Sequence, residues 1–167
     1  MNEPLEIERK FLIRYPSQED LTRYASGWSE ITQTYLCAPP GTTLRVRKRV
    51  TDGVPAWYRT EKRKLSDRTR IELETELREE EYTRLLENAE PGLRTISKRR
   101  YLIPWEGRTF ELDVFPFWTD RAFLEIELES EDAEFTLPPF LTVVREVTED
   151  RRYTNRALAA EIPMDTI

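Results

Sequence analysis

Apolar and polar residues alternate with a period of two along most of this chain. The alternation is clearest in residues 4–14, 43–51 and 69–77. Further predicted strands lie near 30–36, 56–64, 94–103, 108–117 and 121–130. Successive side chains of a β-strand point to opposite faces, so this period predicts strands with one apolar and one charged face. Eight such strands, mostly joined as sequential hairpins, favour an antiparallel sheet that curls into a closed barrel.

The predicted helices are few and short. Ser17 is placed to begin a helix that runs to about Tyr24, and residues 79–90 predict a second helix. Residues 148–160 fit a helix or an irregular tail. The predicted turns are Asp52-Gly53, Glu106-Gly107 and Thr119-Asp120. No repeat or linker divides the sequence. It therefore predicts a single domain over residues 1–167, mainly β in an α+β class: an eight-stranded antiparallel barrel or tunnel with a few flanking helices.

The residue types exclude several kinds of active site. The chain has no histidine and one cysteine, Cys37, which rules out His-based triads, metal sites of several His or Cys, and internal disulfides. A metal would need oxygen ligands, as Mg, Mn and Ca do. The five glycines are isolated, so no glycine-rich phosphate loop is present. Phosphate would be held by Arg and Lys side chains. Cys37 is interpreted as a small packing residue.

Charge and hydropathy bear on location and partners. The net charge of −6 argues mildly against a nucleic-acid surface. The N-terminal residues lack the basic start and apolar stretch of a secretory signal, and no run approaches the ~20 apolar residues that span a bilayer. We therefore expect a cytoplasmic protein that binds neither nucleic acid nor membrane, and a homodimer stays open.

The charged faces of the predicted strands are grouped by sign. The basic pairs are Arg45 with Arg47, Lys62 with Lys64, and Lys98 with Arg100. The acidic sets are Glu6 with Glu8, Glu72 with Glu74, and Glu125 with Glu127 and Glu129. An ordinary solvated face accounts for any one strand, because charged outer faces are common. Like charges that adjoin on one face repel, however. A polyanion would relieve the basic strands and a divalent cation the acidic ones, as in a metal-bound phosphate chain.

Short motifs also follow one another in a fixed order along these strands. They are Glu6-Ile7-Glu8-Arg9-Lys10, Gln33-Thr34-Tyr35-Leu36, Leu44-Arg45-Val46-Arg47, Thr60-Glu61-Lys62, Arg70-Ile71-Glu72-Leu73-Glu74, Lys98-Arg99-Arg100-Tyr101, Phe110-Glu111-Leu112-Asp113, Leu124-Glu125-Ile126-Glu127-Leu128-Glu129, Glu146-Val147-Thr148 and Arg152-Tyr153-Thr154-Asn155. In this order they resemble the CYTH superfamily, also called triphosphate tunnel metalloenzymes. The resemblance covers nearly the whole chain.

The resemblance implies an eight-stranded tunnel that binds a triphosphate with Mg²⁺ or Mn²⁺. Together with the strand faces, it predicts a substrate-binding set of Lys10, Arg45, Arg47, Lys62, Lys64, Lys98 and Arg100. The implied metal ligands are Glu6, Glu8, Glu125 and Glu127, supported from behind by Glu72, Glu74, Asp113 and Glu129. Catalytic roles fall on Lys10, Glu6 and Glu8. Arg9 and Arg99 have the opposite parity and are expected to face outward, and the match gives Arg49 no role.

The predicted function is metal-dependent hydrolysis of a triphosphate, with inorganic tripolyphosphate as the first choice. An adenylate cyclase that forms cyclic AMP and pyrophosphate, and a thiamine triphosphatase, are alternatives within the family. Trp57, Trp105 and Trp118 could stack a base or a thiamine ring, although core or rim positions are favoured for each. A non-catalytic polyphosphate-binding module is the alternative from another class. It needs only the basic strands, so the acidic strands argue against it.

Overall fold

Nine strands and three α-helices make up the computed structural model, which describes residues 4–167. The strands are β1 Leu5–Arg14, β2 Gly27–Leu36, β3 Thr42–Thr51, β4 Val54–Lys64, β5 Thr69–Leu77, β6 Ile96–Trp105, β7 Arg108–Val114, β8 Arg121–Glu127 and β9 Val143–Glu146. The helices are α1 Gln18–Tyr24, α2 Glu79–Leu85 and α3 Asn155–Ala160, with 3₁₀ turns at Leu86–Asn88 and Arg151–Tyr153. In this part of the chain, no helix is long and apolar enough to cross a membrane.

The first strand closes the sheet into a barrel. Strands β1 to β8 pair in the order β5-β4-β3-β2-β6-β7-β8-β1, and β5 then returns to β1, with Leu5 opposite Ile71 and Ile7 opposite Thr69. All of these pairings are antiparallel. The predicted eight-stranded antiparallel barrel is therefore confirmed.

The ninth strand was not predicted from the sequence. Strand β9 pairs with the later part of β1, where Phe11 lies opposite Glu146, along the edge that β5 leaves free. It has four residues and follows Pro138-Pro139, so it is too short for an alternating pattern to stand out. Its partner lies more than a hundred residues earlier, and only the barrel brings the two together.

Two of the three predicted turns and the first helix form where the sequence predicts them, whereas Thr119-Asp120 is a bend at the end of a longer connection, residues 115–120, whose turn lies at Pro116-Phe117. Asp52 and Gly53 have φ values of 50° and 78°, and Glu106 and Gly107 have 48° and 74°. A two-residue hairpin turn of type I′ needs positive φ at both central positions. Helix α1 begins as expected, because Ser17 Oγ accepts a hydrogen bond from the Asp20 amide at 3.1 Å. Helix α2 ends at Leu85, earlier than predicted, because the chain tightens there into a 3₁₀ turn.

The apolar face of the barrel points outward on the side of β1, β6, β7 and β8. Leu21 of α1 and the segment around Leu141 cover this face and bury it. The buried strand residues are Phe11, Ile13, Tyr101, Ile103, Phe110, Leu112, Val114, Ala122, Leu124 and Ile126. Because this apolar face is covered from outside, the alternate residues, which are largely charged, are turned into the barrel.

A second apolar cluster fills part of one end of the barrel. It joins inward residues of β1, β2, β6 and β8 to the C-terminal segment, and Trp118 is confirmed there as a core residue, 2% exposed. Its members are Leu12, Tyr35, Ile96, Phe115, Trp118, Phe123, Val147, Tyr153, Leu158 and Ala159. The C-terminal segment therefore packs against the same interior that holds the charged side chains.

Candidate active site

The barrel interior contains two adjoining cavities of about 210 Å³ and about 200 Å³. Glu8, Arg45, Lys62 and Asn155 line both, so the cavities form one passage with a shared middle. The first, called here the basic compartment, has the cationic groups Lys10, Arg45, Lys62, Lys64, Arg70 and Arg156 against Glu8 and Asp67. The second, the acidic compartment, has the carboxylates Glu6, Glu8, Glu72, Glu74, Glu111, Glu125 and Glu127 against Arg45, Arg47, Arg49, Lys62 and Arg100.

Lys10 lies at the wall of the basic compartment. Its Nζ donates a hydrogen bond to the Tyr153 carbonyl at 3.1 Å and lies 4.6 Å from the centre of the Phe123 ring. The same Nζ is 3.4 Å from Glu125 Oε1, an ion contact only, because that buried oxygen has no hydrogen-bond partner in the described part of the chain. Burial raises the pKa of Glu125, but the nearby cations, Lys10 foremost, outweigh burial and lower it.

Carboxylates crowd the acidic compartment from β1 and β8. Burial, followed by the charges of Glu125 and Glu6, raises the pKa of Glu8 to about 7. Burial raises the pKa of Glu127 as well, and the charges of Glu6 and Glu8 raise it further. The pKa of Glu6 is raised by burial and by a hydrogen bond with Glu72, against the effect of Lys62. Like charges held close together make full ionisation unfavourable without a cation.

The basic wall comes from β3. Arg45 and Arg47 are both buried, and the closest carboxylate to Arg47 is Glu74, at 3.4 Å from Nη2 to Oε2. Burial, and then the charges of Arg45 and Arg100, lower the pKa of Arg47 to about 10. The Nε of Arg45 is buried without a hydrogen-bond partner in residues 4–167. These guanidinium groups have more donors than the protein satisfies, which is the need that a bound anion meets.

The two lysines of β4 have different surroundings. Lys62 Nζ lies 2.8 Å from Glu6 and 3.6 Å from Glu72, so it joins β4 to β1 and β5 inside the passage. Lys64 is about half exposed at the mouth of the basic compartment, where it pairs with Asp67 at 2.6 Å.

Lys98 was predicted to bind substrate, but it lies behind the wall of the passage and not on it. Its ammonium is fully buried 2.8 Å from Asp113, and it lines neither cavity. Arg100 holds the same carboxylate through two hydrogen bonds of 2.8 and 2.9 Å and also pairs with Glu111. Burial opposes ionisation of Asp113, yet Arg100 and Lys98 hold its pKa below the usual range. Burial lowers the pKa of Lys98 to about 8.

Two expectations are wrong. Glu129 was predicted to support the metal ligands, but β8 ends at Glu127 and its alternation ends there. The Glu129 carboxylate is 68% exposed and pairs with Arg108 on the outer surface. Cys37 was interpreted as a packing residue and is exposed, because it follows the last residue of β2. By contrast, Arg9 and Arg99 face outward as predicted and pair with Glu146 and Glu30.

Several residues of the passage were missed. Glu111 lines the acidic compartment, and its spacing of two from Asp113 was the signal that could have found it. Gln33 shares the parity of Tyr35, is fully buried, and has no hydrogen-bond partner for either amide atom among the described residues. Tyr153 and Asn155 also line the passage. They lie outside the strands, so no periodicity marks them.

The acidic compartment fits a divalent cation in its chemistry. Its donors are carboxylate oxygens, and Glu125 has an unpartnered buried oxygen. The pKa values of Glu6, Glu8 and Glu127 are raised, first by burial and in part by the charges of neighbouring carboxylates. Hard oxygen ligands suit Mg and Mn. Within residues 4–167, however, no three Asp, Glu, Cys or His side chains lie close enough together to form a closed metal site. The acidic compartment therefore matches a divalent cation in the type of its donor atoms and in its charge.

Comparison with known families decides the membership of the chain. The model of the CYTH domain family matches residues 4–149. The chain belongs to the CYTH family. Membership of this family implies dependence on a divalent metal ion.

Two curated CYTH relatives are similar over almost their whole length. An inorganic triphosphatase of Nitrosomonas europaea is 35% identical over 164 residues, which cover 95% of this chain and 99% of the relative. An inorganic triphosphatase of Acetivibrio thermocellus is 32% identical over 156 residues, 92% of each chain.

Solved structures agree with the fold. The crystal structure of an inorganic triphosphatase is 34% identical, with a TM-score of 0.59 over 95% of this chain and 96% of that one. A Pyrococcus horikoshii protein is 25% identical, with a TM-score of 0.56 over 75% of this chain and 80% of that one.

Proposed function

We propose that this protein is a divalent-metal-dependent triphosphatase that hydrolyses inorganic tripolyphosphate inside its barrel. The observation that carries the proposal is the pair of adjoining compartments, one with excess cationic groups and one with excess carboxylates. A metal-bound phosphate chain needs both kinds of group. The two curated relatives, each named inorganic triphosphatase, support the same activity.

Cationic side chains bind and orient the phosphate chain in this proposal. Arg45 and Arg47 line the passage, the Nε of Arg45 has no hydrogen-bond partner among the described residues, and Lys62 lies where the two compartments meet. Bidentate guanidinium contacts fix the position and direction of a phosphate chain as well as neutralising it. Lys10, between Tyr153 and Glu125, is the cation proposed to contact the reacting phosphoryl group.

Glu6, Glu8, Glu125 and Glu127 are proposed to hold Mg²⁺ or Mn²⁺. A divalent cation in such a site neutralises phosphate charge and makes water a stronger nucleophile. The protein's part is to gather the carboxylates along the acidic compartment and to oppose them with Lys10 and Lys62. No protein nucleophile is required, which agrees with the lack of histidine and with the exposed Cys37 at the edge of the fold.

The cyclase and thiamine triphosphatase alternatives need a surface for a base or an aromatic ring. Trp57, Trp105 and Trp118 line neither compartment, and Trp118 is committed to the core. The aromatic residues that line the basic compartment are Tyr35 and Tyr153. This lining favours the smaller inorganic substrate over one that carries a base.

The test measures phosphate release from tripolyphosphate, ATP and thiamine triphosphate, with Mg²⁺, Mn²⁺ or EDTA, together with cyclic AMP formation. We expect tripolyphosphate to give the highest kcat/KM, EDTA to abolish turnover, and added Mg²⁺ or Mn²⁺ to restore it. Cyclic AMP as the main product of ATP would replace the proposal with the cyclase. Tight tripolyphosphate binding without turnover under any metal would replace it with a binding module.

Two predictions accompany the proposal: a single domain over residues 1–167, and a cytoplasmic location without nucleic-acid or membrane partners. The assembly is either a monomer or a homodimer. Size-exclusion chromatography with light scattering measures the assembly, and fractionation of the source cells measures the location.

A further inference from the structure

The C-terminal segment reaches Lys10 through a chain of hydrogen bonds. Lys10 Nζ donates to the backbone carbonyl of Tyr153, and the hydroxyl of Tyr153 donates to Asp165 Oδ1 at 3.2 Å. Arg121 Nη1 donates to the same hydroxyl at 3.3 Å, and its Nη2 donates to the Asp165 carbonyl. Arg121 is 1% exposed although it carries a charge. Burying a guanidinium costs free energy unless it is paired and hydrogen-bonded, so the contacts of Arg121 hold its partners in defined positions.

Other contacts fix residues 161–167 against the barrel. Trp118 Nε1 donates to the Pro163 carbonyl at 2.9 Å, and Arg14 Nη2 donates to the Ile167 carbonyl at 3.0 Å. Ile162 and Ile167 pack on the apolar cluster that contains Tyr153. Residues 161–167 and Tyr153 lie beyond residues 4–149, which the CYTH family model matches. Tyr153 belongs to a motif that resembles the family, whereas neither that resemblance nor the family model reaches residues 161–167, so their role is open.

We propose that residues 161–167 are a latch that positions Lys10 for catalysis, with Arg121, Tyr153 and Asp165 as positioning residues. The proposal rests on the proposed function, because it takes Lys10 to act on the triphosphate. The ammonium has three protons, and the structure gives it one carbonyl acceptor and one carboxylate contact. When the latch holds the Tyr153 carbonyl in place, it fixes one hydrogen bond of the Lys10 ammonium. The remaining N–H groups of Lys10 are then directed toward the passage.

The main test replaces Tyr153 by Phe and Asp165 by Asn in the full chain. Tyr153→Phe keeps the ring in the apolar cluster and removes the hydroxyl that Arg121 and Asp165 hold. We expect kcat for tripolyphosphate to fall about tenfold with KM within about twofold, because a small misplacement of a reacting group slows chemistry more than binding. Val54→Ala, at a 67% exposed apolar position outside the latch and both compartments, is the control and should retain wild-type kcat and KM.

A second readout follows Lys10 without any turnover. In ¹⁵N-labelled protein with EDTA, the side-chain ammonium signal of Lys10 is assigned by its loss in Lys10→Met. We expect Tyr153→Phe and Asp165→Asn to shift or broaden that signal, while the signal of Lys98, held by Asp113, stays in place. Val54→Ala should change neither signal. Melting temperatures of all variants show whether each is folded at the assay temperature.

The outcomes separate the latch from the proposed function. An unchanged Lys10 signal in folded Tyr153→Phe overturns the latch, whatever the activity. An unchanged kcat in that variant also overturns it, and so does a loss of melting temperature with normal kcat, since that is a purely structural role. Failure of the wild-type protein to hydrolyse tripolyphosphate overturns the proposed function, and a perturbed Lys10 signal would then still establish the contact chain.

Discussion

Glu8 of β1 and Glu127 of β8 are direct cross-strand partners, so two carboxylates occupy one position of the barrel wall. Directly opposed side chains in an antiparallel pair lie close together, and like charges there are destabilising. The next pair on the same face of the two strands, Lys10 with Glu125, joins opposite charges. Charge is therefore balanced at the Lys10–Glu125 pair and unbalanced at the Glu8–Glu127 pair, where a bound cation would neutralise the excess negative charge.

The first prediction concerns the pH dependence of stability without metal. Glu8 has a pKa of about 7 in the folded protein, against 4.5 as its ordinary value. Between these values the folded protein holds a proton that the unfolded chain releases, so the contribution of Glu8 to stability falls as pH rises. We expect the melting temperature in EDTA to fall from pH 5 to pH 7.5 and Glu8→Gln to flatten that fall. Glu87→Gln, at an exposed position of the outer surface, should keep the wild-type slope. Equal slopes for wild type and Glu8→Gln would contradict the prediction.

The second prediction separates repulsion at Glu127 from its proposed metal contact. Glu127→Gln removes one charge from the crowded carboxylates, so the variant should melt at the same or a higher temperature in EDTA. Mg²⁺ with tripolyphosphate should raise the wild-type melting temperature by mass action and raise that of the variant far less. Turnover should be lost, because a neutral amide is a poorer ligand for these cations. Glu129→Gln, outside the barrel, is the matched control and should show the full ligand-induced shift. Equal shifts for Glu127→Gln and wild type would remove Glu127 from the metal site.

The fold was largely predictable because one period governs it. Alternation predicts β1, β3 and β5 closely, and each hairpin is joined by a short local turn. Strand β9 was not predictable, because its four residues have no pattern of their own and their partner, β1, is remote in sequence. The C-terminal segment was only loosely predicted for the same reason: its conformation depends on the apolar end of the barrel on which it packs.

Parity also predicted which side chains enter the barrel, but not how deep each one lies. Arg45 and Lys98 both have inward parity, yet one lines the passage and the other is fully buried against Asp113. That difference depends on the stagger of neighbouring strands and on which end of the barrel is filled, which the sequence of a single strand does not contain. Glu129 shows a second limit of parity: the alternation of side chains between two faces no longer applies beyond Glu127, the last residue of β8.

The third prediction compares two arginines on opposite faces of the barrel wall. Arg47→Ala removes a buried guanidinium that lines the acidic compartment, and we expect kcat/KM for tripolyphosphate to fall about 100-fold, the scale of losing one preorganised donor. Arg99→Ala removes an exposed guanidinium that pairs with Glu30 outside the barrel, and it should change kcat/KM less than about twofold. Steady-state kinetics on both variants, with circular dichroism to verify folding, makes the comparison. A loss in Arg99→Ala equal to that in Arg47→Ala would show that the inward and outward faces have been assigned wrongly.

The last prediction concerns the buried amide of Gln33. The residue is fully buried, and neither its amide oxygen nor its amide nitrogen has a hydrogen-bond partner within residues 4–167. It lies opposite Arg47 in the pairing with β3, so its amide adjoins the wall proposed to bind phosphate. An unsatisfied buried polar group costs about 1–3 kcal/mol, and a protein retains one where function needs it. Gln33→Met should therefore raise the free energy of unfolding of the ligand-free protein by about 1 kcal/mol and lower kcat/KM for tripolyphosphate.

Thr34 provides the contrast for that measurement. Its Oγ1 shares a hydrogen bond of 2.9 Å with Thr95, so Thr34→Val leaves a partner unpaired and should destabilise the protein. Urea unfolding of both variants, with kinetics in parallel, gives the comparison. A stabilised Gln33→Met with unchanged kcat/KM would mean that the amide serves no functional purpose. A destabilised Gln33→Met would mean that ordered water satisfies the amide, because removing a satisfied group is the change that costs stability.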